Sequence, residues 1–219
     1  MVQGRLSSAQ VEVLRALAGI VPPWRLSGGG ALAGFHTRHR ATRDLDLFWL
    51  AKDVATEAAE VERRLGAAGF SAQVLQRDPA FCRLRVARGA DVVVVDLVAD
   101  PVPAVADPSE QALGDVRILV DPPHEILVAK LGALLSRSEL RDLDDVRALL
   151  EAGGDLSRAV ADAPRKDSGF SPVTLAWVLQ EMPIGAMGRA LGRGAGEIRG
   201  FEDFRERLVG AILATAKPA

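Results

Sequence analysis

Two aspartates one residue apart, Asp44 and Asp46, lie downstream of the triplet Gly28-Gly29-Gly30. On a strand, residues i and i+2 point to the same face, so the two carboxylates converge. Like charges that close are unfavourable unless a cation neutralises them. A glycine turn exposes backbone N–H groups and can cradle a phosphate. A third acid, Asp96, interrupts the apolar run Val92–Val98. A buried aspartate needs a cation, a metal or several hydrogen bonds. An ion pair with Arg83 or Arg85 on the neighbouring strand would satisfy Asp96, and so would metal ligation. Beside the Asp44/Asp46 pair, metal ligation is favoured. The set implies metal-assisted transfer of a nucleotide, with Mg2+ the fitting hard cation.

Other residues bear on the same chemistry. His36, Arg38, His39, Arg40 and Arg43 form a basic cluster between glycines and acids. Arg40 and Arg43, nearest the acids, can bind phosphate or pair with a carboxylate. The two histidines lack a third spaced ligand for zinc. Lys130 interrupts the apolar stripe Ile126, Leu127, Leu131 and Leu134. Its ammonium either snorkels to water or addresses a triphosphate. Arg137, Arg141, Asp142 and Asp145 follow at helical spacing, the pattern of a surface ion-pair helix. The glycines do not form a Walker loop, because no Gly-Lys-Ser/Thr follows. They do not form a dinucleotide fingerprint, because Asp-x-Asp replaces the lone ribose acid.

These residues need elements to hold them. A helix capped by Ser7 or Ser8 is expected to end at Pro22-Pro23. A strand over Trp24–Ser27 leads into the glycines, a short helix over Ala31–His36 follows, and Leu45–Leu50 is a strand. Asp53 is an expected N-cap for a helix through Ala68. Strands are expected over Phe70–Gln76, Phe81–Ala87 and Asp91–Val98, with Arg88-Gly89-Ala90 as a tight link. Beyond Pro122-Pro123 the pattern is helical, over about Glu125–Leu135, Glu139–Glu151, Leu156–Ala161, Pro172–Gln180 and Phe201–Ala214. The glycine-rich Gly185–Gly200 is expected to be a loop or weak helix. The expected organisation is an α/β (α+β) domain over residues 1–122, its mixed sheet flanked by helices, then a helical domain over 123–219.

Composition narrows the function classes. The net charge of −2 gives no global pull toward nucleic acid or membrane, so any such partner is held by a local patch. Cys82 is the sole cysteine, which excludes an internal disulfide and a cysteine-based zinc site. Met1–Ser8 is polar, without a signal-peptide pattern, and the apolar stretches are too short to span a bilayer. The cytoplasm is the expected location.

Two stretches carry a resemblance. Leu26-Ser27-Gly28-Gly29-Gly30-Ala31-Leu32 with Arg40-Ala41-Thr42-Arg43-Asp44-Leu45-Asp46-Leu47-Phe48 resembles the opening motif of DNA polymerase β-type nucleotidyltransferases, in particular the AbiEii/AbiGii toxin-like group. Leu127–Leu134 is similar to that group's lysine-bearing helix, and Arg137–Val146 to its Arg/Asp motif. The resemblance implies a polymerase-β-like fold and NMP transfer from an NTP to an acceptor hydroxyl. It makes Asp44, Asp46 and Asp96 ligands of Mg2+ or Mn2+. It gives the nucleotide phosphates to Gly28, Gly29, Gly30, Arg40 and Arg43, and the triphosphate to Lys130. Asp142 would position Lys130 or the acceptor, with the helical domain bringing both residues to the cleft. Two departures stand out: Gly30 replaces a Ser or Thr, and Arg141 precedes Asp142 where a lysine is common. The implied acceptor is RNA, particularly the tRNA 3′ end, in a toxin–antitoxin setting with an antitoxin protein as partner. A small-molecule nucleotidyltransferase, with an acidic pocket from Asp142, Asp144 and Asp145, is the enzymatic alternative. A catalytically degenerate nucleotide-binding module is the non-enzymatic one.

Overall fold

The strand that carries Asp44 and Asp46 lies inside a seven-stranded mixed sheet, and its neighbours decide what those acids meet. The computed structural model describes residues 4–215. Residues 1–3, part of the polar start Met1–Ser8, and 216–219 lie outside the described residues. The chain forms two units, Met1–Pro122 and Pro123–Ala219.

In the first unit, α1 (Ser8–Leu17) opens with a reciprocal cap. The Gln10 N–H donates to Ser7 Oγ at 3.2 Å and the Ser7 N–H donates to Gln10 Oε1 at 2.8 Å. Then come β1 (Arg25–Ser27), α2 (Gly28–Phe35), β2 (Asp44–Trp49) and α3 (Ala55–Ala67). Helix α2 begins on the glycines themselves, three residues earlier than expected. Val54, not Asp53, caps α3, although Asp53 still accepts from the Ala55 N–H at 3.2 Å. Strands β3 (Ser71–Asp78), β4 (Phe81–Arg88) and β5 (Asp91–Ala99) form an antiparallel meander.

A hairpin that the sequence reading does not contain follows, β6 (Ser109–Leu113) and β7 (Val116–Val120). Its signal was the Gly114-Asp115 turn, with Gly114 at φ +67, ahead of the apolar Ile118-Leu119-Val120. The polar Ser109-Glu110-Gln111 of the edge strand, its first two residues exposed, obscured it. The strand order is β3-β4-β5-β2-β1-β7-β6. Strand β2 pairs parallel with β5, and β1 parallel with β7.

Burial alternates along β2. Leu45, Leu47 and Trp49 are buried, while Asp44, Asp46 and Phe48 are half-buried. The apolar face continues through Leu84 and Val86 of β4 and Val93, Val95 and Leu97 of β5. Helices α1 and α3 pack in this unit through Val13, Leu14, Val61 and Leu65. Burying a side chain of that size contributes about 1.5–3 kcal/mol, which fixes the register and sends the acids to the other face.

The second unit comprises α4 (Pro123–Ser136), α5 (Leu140–Glu151), α6 (Leu156–Lys166), α7 (Pro172–Glu181), α8 (Ile184–Ala190) and α9 (Ala195–Thr215). The glycine-rich stretch, expected to be a loop or weak helix, is largely helical, forming most of α8 and the start of α9. A methyl on Gly188 would lie 2.6 Å from Ile198 Cγ1, so this glycine lets the two helices meet. Burial of Ile198, Phe201 and Phe204 offsets the roughly 1 kcal/mol that each helical glycine costs. No helix among the described residues is long and apolar enough to cross a membrane.

Candidate active site

Strand register sets the acids in a row. Asp46 stands opposite Asp96 on β5 and opposite Ser27 on β1. Asp96 stands opposite Arg83 on β4. Cross-strand partners share a face, so Arg83, Asp96, Asp46 and Ser27 run across four strands, each about 4.8 Å from the next strand. Asp44 lies on the same face as Asp46, opposite Val94.

Asp96 is buried and gripped by Arg83, Nε to Oδ1 at 2.8 Å and Nη2 to Oδ2 at 2.6 Å. The Arg83 guanidinium carbon lies 5.6 Å from the centre of the Phe81 ring. The hydrogen bonds to Asp96 hold Arg83 above its ordinary pKa against the opposing effect of burial, and the charges of Asp96, Asp44 and Asp46 add to the shift. The structure thus selects Arg83 over Arg85 as the partner. The tight link already encodes this: Gly89-Ala90 pairs Arg88 with Asp91, and counting back along both strands brings Arg83 to Asp96 and Arg85 to Val94.

Among the described residues, no three His, Cys, Asp or Glu side chains stand together to hold a metal ion as placed. Asp44 and Asp46 supply hard carboxylate oxygens on one face and fit a divalent cation. Asp96 extends that set only where Arg83 releases it.

The glycines close one side of the row. Gly28 opens α2 at φ +56, a conformation glycine adopts without strain, and a methyl there would overlap Asp46 Oδ2. A methyl on Gly29 would lie 2.8 Å from Thr42 Oγ1 and 3.5 Å from Arg40 Nη2. Thr42 Oγ1 donates to Asp44 Oδ1 at 2.6 Å, and the Thr42 carbonyl accepts from Gln10 Nε2 at 3.1 Å. Thr42, which sequence reasoning passed over, therefore orients Asp44. Gly30 points elsewhere: a methyl there would lie 3.0 Å from Leu26 Cδ1 and 3.2 Å from Leu45 Cδ2. A side chain at position 30 would enter the core, so only the backbone of Gly30 is open to a nucleotide.

The basic cluster divides. Arg40 is half-buried beside Gly29, and its Nη1 donates to the Ala41 carbonyl at 3.2 Å. Arg38 and Arg43 are exposed. His36 Nε2 donates to the Asp121 carbonyl at 2.8 Å, and burial holds its pKa below the ordinary histidine value despite that bond. His39 Nδ1 lies 2.6 Å from Thr37 Oγ1.

In the second unit, Lys130 Nζ donates to Asp142 Oδ1 at 2.8 Å and reaches Asp145 Oδ2 at 2.7 Å. Arg137 adds Nε to Asp142 Oδ2 at 2.8 Å and Nη2 to Oδ1 at 2.9 Å. Asp142 and Asp145 are fully buried, so they are not the surface ion pairs that their spacing suggested. Three residues apart, they share one face of α5 and hold the lysine between them. Asp145 was missed as a partner of Lys130. Arg141 is exposed and pairs with Glu139 at 2.6 Å.

Burial alone would raise the Asp142 pKa. Hydrogen bonds from Arg137, with the charge and hydrogen bond of Lys130, outweigh it and hold the carboxyl below its ordinary value. A carboxyl depressed in the folded state stabilises the fold above its unfolded pKa of about 3.9, and that stabilisation is lost as pH falls through the folded value. Asp142→Asn is therefore expected to cost about 3 kcal/mol at pH 7. In urea unfolding, the gap between variant and wild type should narrow as pH falls below 4; a gap that widens on acidification would contradict the charge assignment.

Known proteins can be set beside this geometry. A family model described as nucleotidyl transferase AbiEii toxin, type IV TA system, matches residues 12–213. No curated protein matches the chain. Among solved structures, JHP933 from Helicobacter pylori is similar at 17% identity and a TM-score of 0.58, over 96% of this chain and 93% of that one. MenT4, a nucleotidyltransferase toxin from Mycobacterium tuberculosis H37Rv, is similar at 18% identity and a TM-score of 0.58, over 94% and 91%. The antibiotic-resistance factor ANT(2'')-Ia is similar at 14% identity and a TM-score of 0.52, over 74% and 94%. At these identities the likeness is one of fold.

Proposed function

Because the chain belongs to the AbiEii nucleotidyl transferase toxin family and is a nucleotidyltransferase, we propose that it moves an NMP from an NTP to the 3′ hydroxyl of an RNA, with tRNA the favoured acceptor. The observation that carries the reading is Asp46, set beside Asp96 on one side and against Gly28 on another. In the reaction the acceptor oxygen bonds to the α-phosphorus, the α–β phosphoanhydride breaks, and pyrophosphate leaves.

Asp44 and Asp46 would hold Mg2+ or Mn2+, with Asp96 as the third carboxylate. When bound, the metal neutralises phosphate charge and lowers the pKa of the acceptor hydroxyl. Thr42 keeps Asp44 oriented through its 2.6 Å hydrogen bond. The backbone of Gly28, Gly29 and Gly30 and the side chains of Arg40 and Arg43 are assigned to the phosphates, and the start of α2 favours negative charge there. Lys130 is held within the second unit by Asp142 and Asp145. The exposed Arg38 and Arg43 suit a phosphate backbone held by a local patch. An RNA acceptor places the reaction in the cytoplasm, and the type IV toxin–antitoxin description of the family supports an antitoxin as partner.

The small-molecule reading wanted an open acidic pocket from Asp142, Asp144 and Asp145. Asp142 and Asp145 are instead bonded to Lys130, and Asp144 pairs with Arg147 at 2.6 Å. The RNA reading is tested by incubating the protein with Mg2+ or Mn2+, each labelled NTP in turn, and total tRNA. Label in acid-insoluble tRNA is expected with at least one NTP. Label on an aminoglycoside and none on tRNA would favour the small-molecule reading, and no transfer to either would favour a degenerate module.

A further inference from the structure

Asp96 already has a cation, and that cation belongs to the protein. Arg83 holds both carboxylate oxygens in a fork, the strongest geometry an arginine offers a carboxylate. The two partners sit in different surroundings. The Asp96 side chain is 5% exposed and fixed in the sheet, whereas that of Arg83 is 42% exposed. The guanidinium can leave toward solvent without unpacking the core; the carboxylate cannot follow it. On the other side of Asp96 lies Asp46, its register partner. Asp96 therefore stands between an arginine and the acid pair, and it cannot give both oxygens to each.

We infer that Arg83 is the counter-charge of the acid row in the metal-free protein: it competes with a divalent cation for Asp96 and so weakens metal binding until it lets go. This rests on the reading that Asp44 and Asp46 bind a divalent cation. Arg83 acts through Asp96 and is a positioning residue. Its grip spares Asp46 and Asp96 their mutual repulsion when no metal is present, and it sets the metal concentration at which Asp96 joins the donor set.

The experiment measures Mn2+ alone, without nucleotide, by the electron paramagnetic resonance signal of the free ion, together with the thermal midpoint at each Mn2+ concentration. The proteins are wild type, Arg83→Gln, Arg83→Lys, Arg83→Gln/Asp96→Asn and Asp46→Asn. Arg83→Gln is expected to bind Mn2+ about tenfold tighter than wild type, as removal of a positive charge beside the site predicts. It should also be less stable without metal and gain more in midpoint from Mn2+ than wild type does, because the ion replaces the lost counter-charge. Arg83→Lys should fall between the two, since an ammonium cannot fork. The gain should vanish when Asp96 is also changed.

Affinity in Arg83→Gln equal to or weaker than wild type would overturn the inference, as would a gain that persists in the double variant. If Arg83→Gln does not fold, Arg83→Lys decides: tighter binding supports the inference and wild-type affinity overturns it. Asp46→Asn should lose Mn2+ binding. If Asp46→Asn binds as well as wild type, the metal-site reading has failed, a result distinct from failure of the Arg83 competition.

Discussion

Asp46→Asn is expected to lower nucleotidyl transfer by about a thousandfold or more, with the unfolding midpoint unchanged. The substitution keeps the shape and removes the charge. Asp46 sits among acids: Asp44 shares its face, and Asp96 is its register partner. The amide leaves the buried face of the strand, Leu45, Leu47 and Trp49, as it is, so the fold does not suffer. Transfer suffers because one of the two carboxylates that would hold the phosphate-neutralising cation becomes a neutral amide, and electrostatic terms of this kind are worth a hundred- to a thousandfold each. Single-turnover rates and thermal unfolding of the same preparation check both halves. Transfer within tenfold of wild type would remove Asp46 from the chemistry.

Gly28→Ala is expected to lower transfer by about a hundredfold and stability by about 1–2 kcal/mol. Two effects combine. An L-residue at φ +56 is strained, by roughly 1 kcal/mol or more. The added methyl would overlap Asp46 Oδ2, so either the start of α2 or the carboxylate must shift. A displacement of about 1 Å at a reacting centre costs on the order of a hundredfold. Gly30→Ala supplies the contrast. Its methyl meets the flexible ends of Leu26 and Leu45 at 3.0 and 3.2 Å, away from the acids. That variant should cost about 1 kcal/mol in urea unfolding and leave transfer within a few-fold of wild type. Equal activity losses in the two variants would show that the close approach of Gly28 to Asp46 is not what the site requires.

The parts of the fold that could be read from sequence were those where period and punctuation agree. The alternation of Asp44-Leu45-Asp46-Leu47 with Phe48-Trp49 fixes both the strand and the face that its acids take. A serine cap, Ser7 or Ser8, announces the first helix, with Ser7 taking the role in the structure, and the Gly89-Ala90 link fixes the β4–β5 register. What was hidden depends on tertiary partners. The edge strand Ser109–Leu113 opens on the exposed, polar Ser109 and Glu110, and only pairing with β7 makes it a strand. The glycines near residue 190 look like breakers until Gly188 is seen to admit Ile198. Asp145 looks like surface charge until Lys130 is seen beside it. At Asp96 the sequence offers an ion pair and metal ligation, and beside Asp44 and Asp46 it favours metal ligation. The structure holds the ion pair with Arg83, with Asp46 as the register partner of Asp96 on its other side.

The claim that Asp44 and Asp46 together hold a divalent cation is tested most directly by diffraction. Crystals grown with Mn2+ and a non-hydrolysable NTP analogue, measured at the manganese edge, should show an anomalous peak within ligand distance of both carboxylates, with the phosphates against Gly28 and Gly29. An ordered nucleotide whose Mn2+ peak lies away from Asp44 and Asp46 would contradict it.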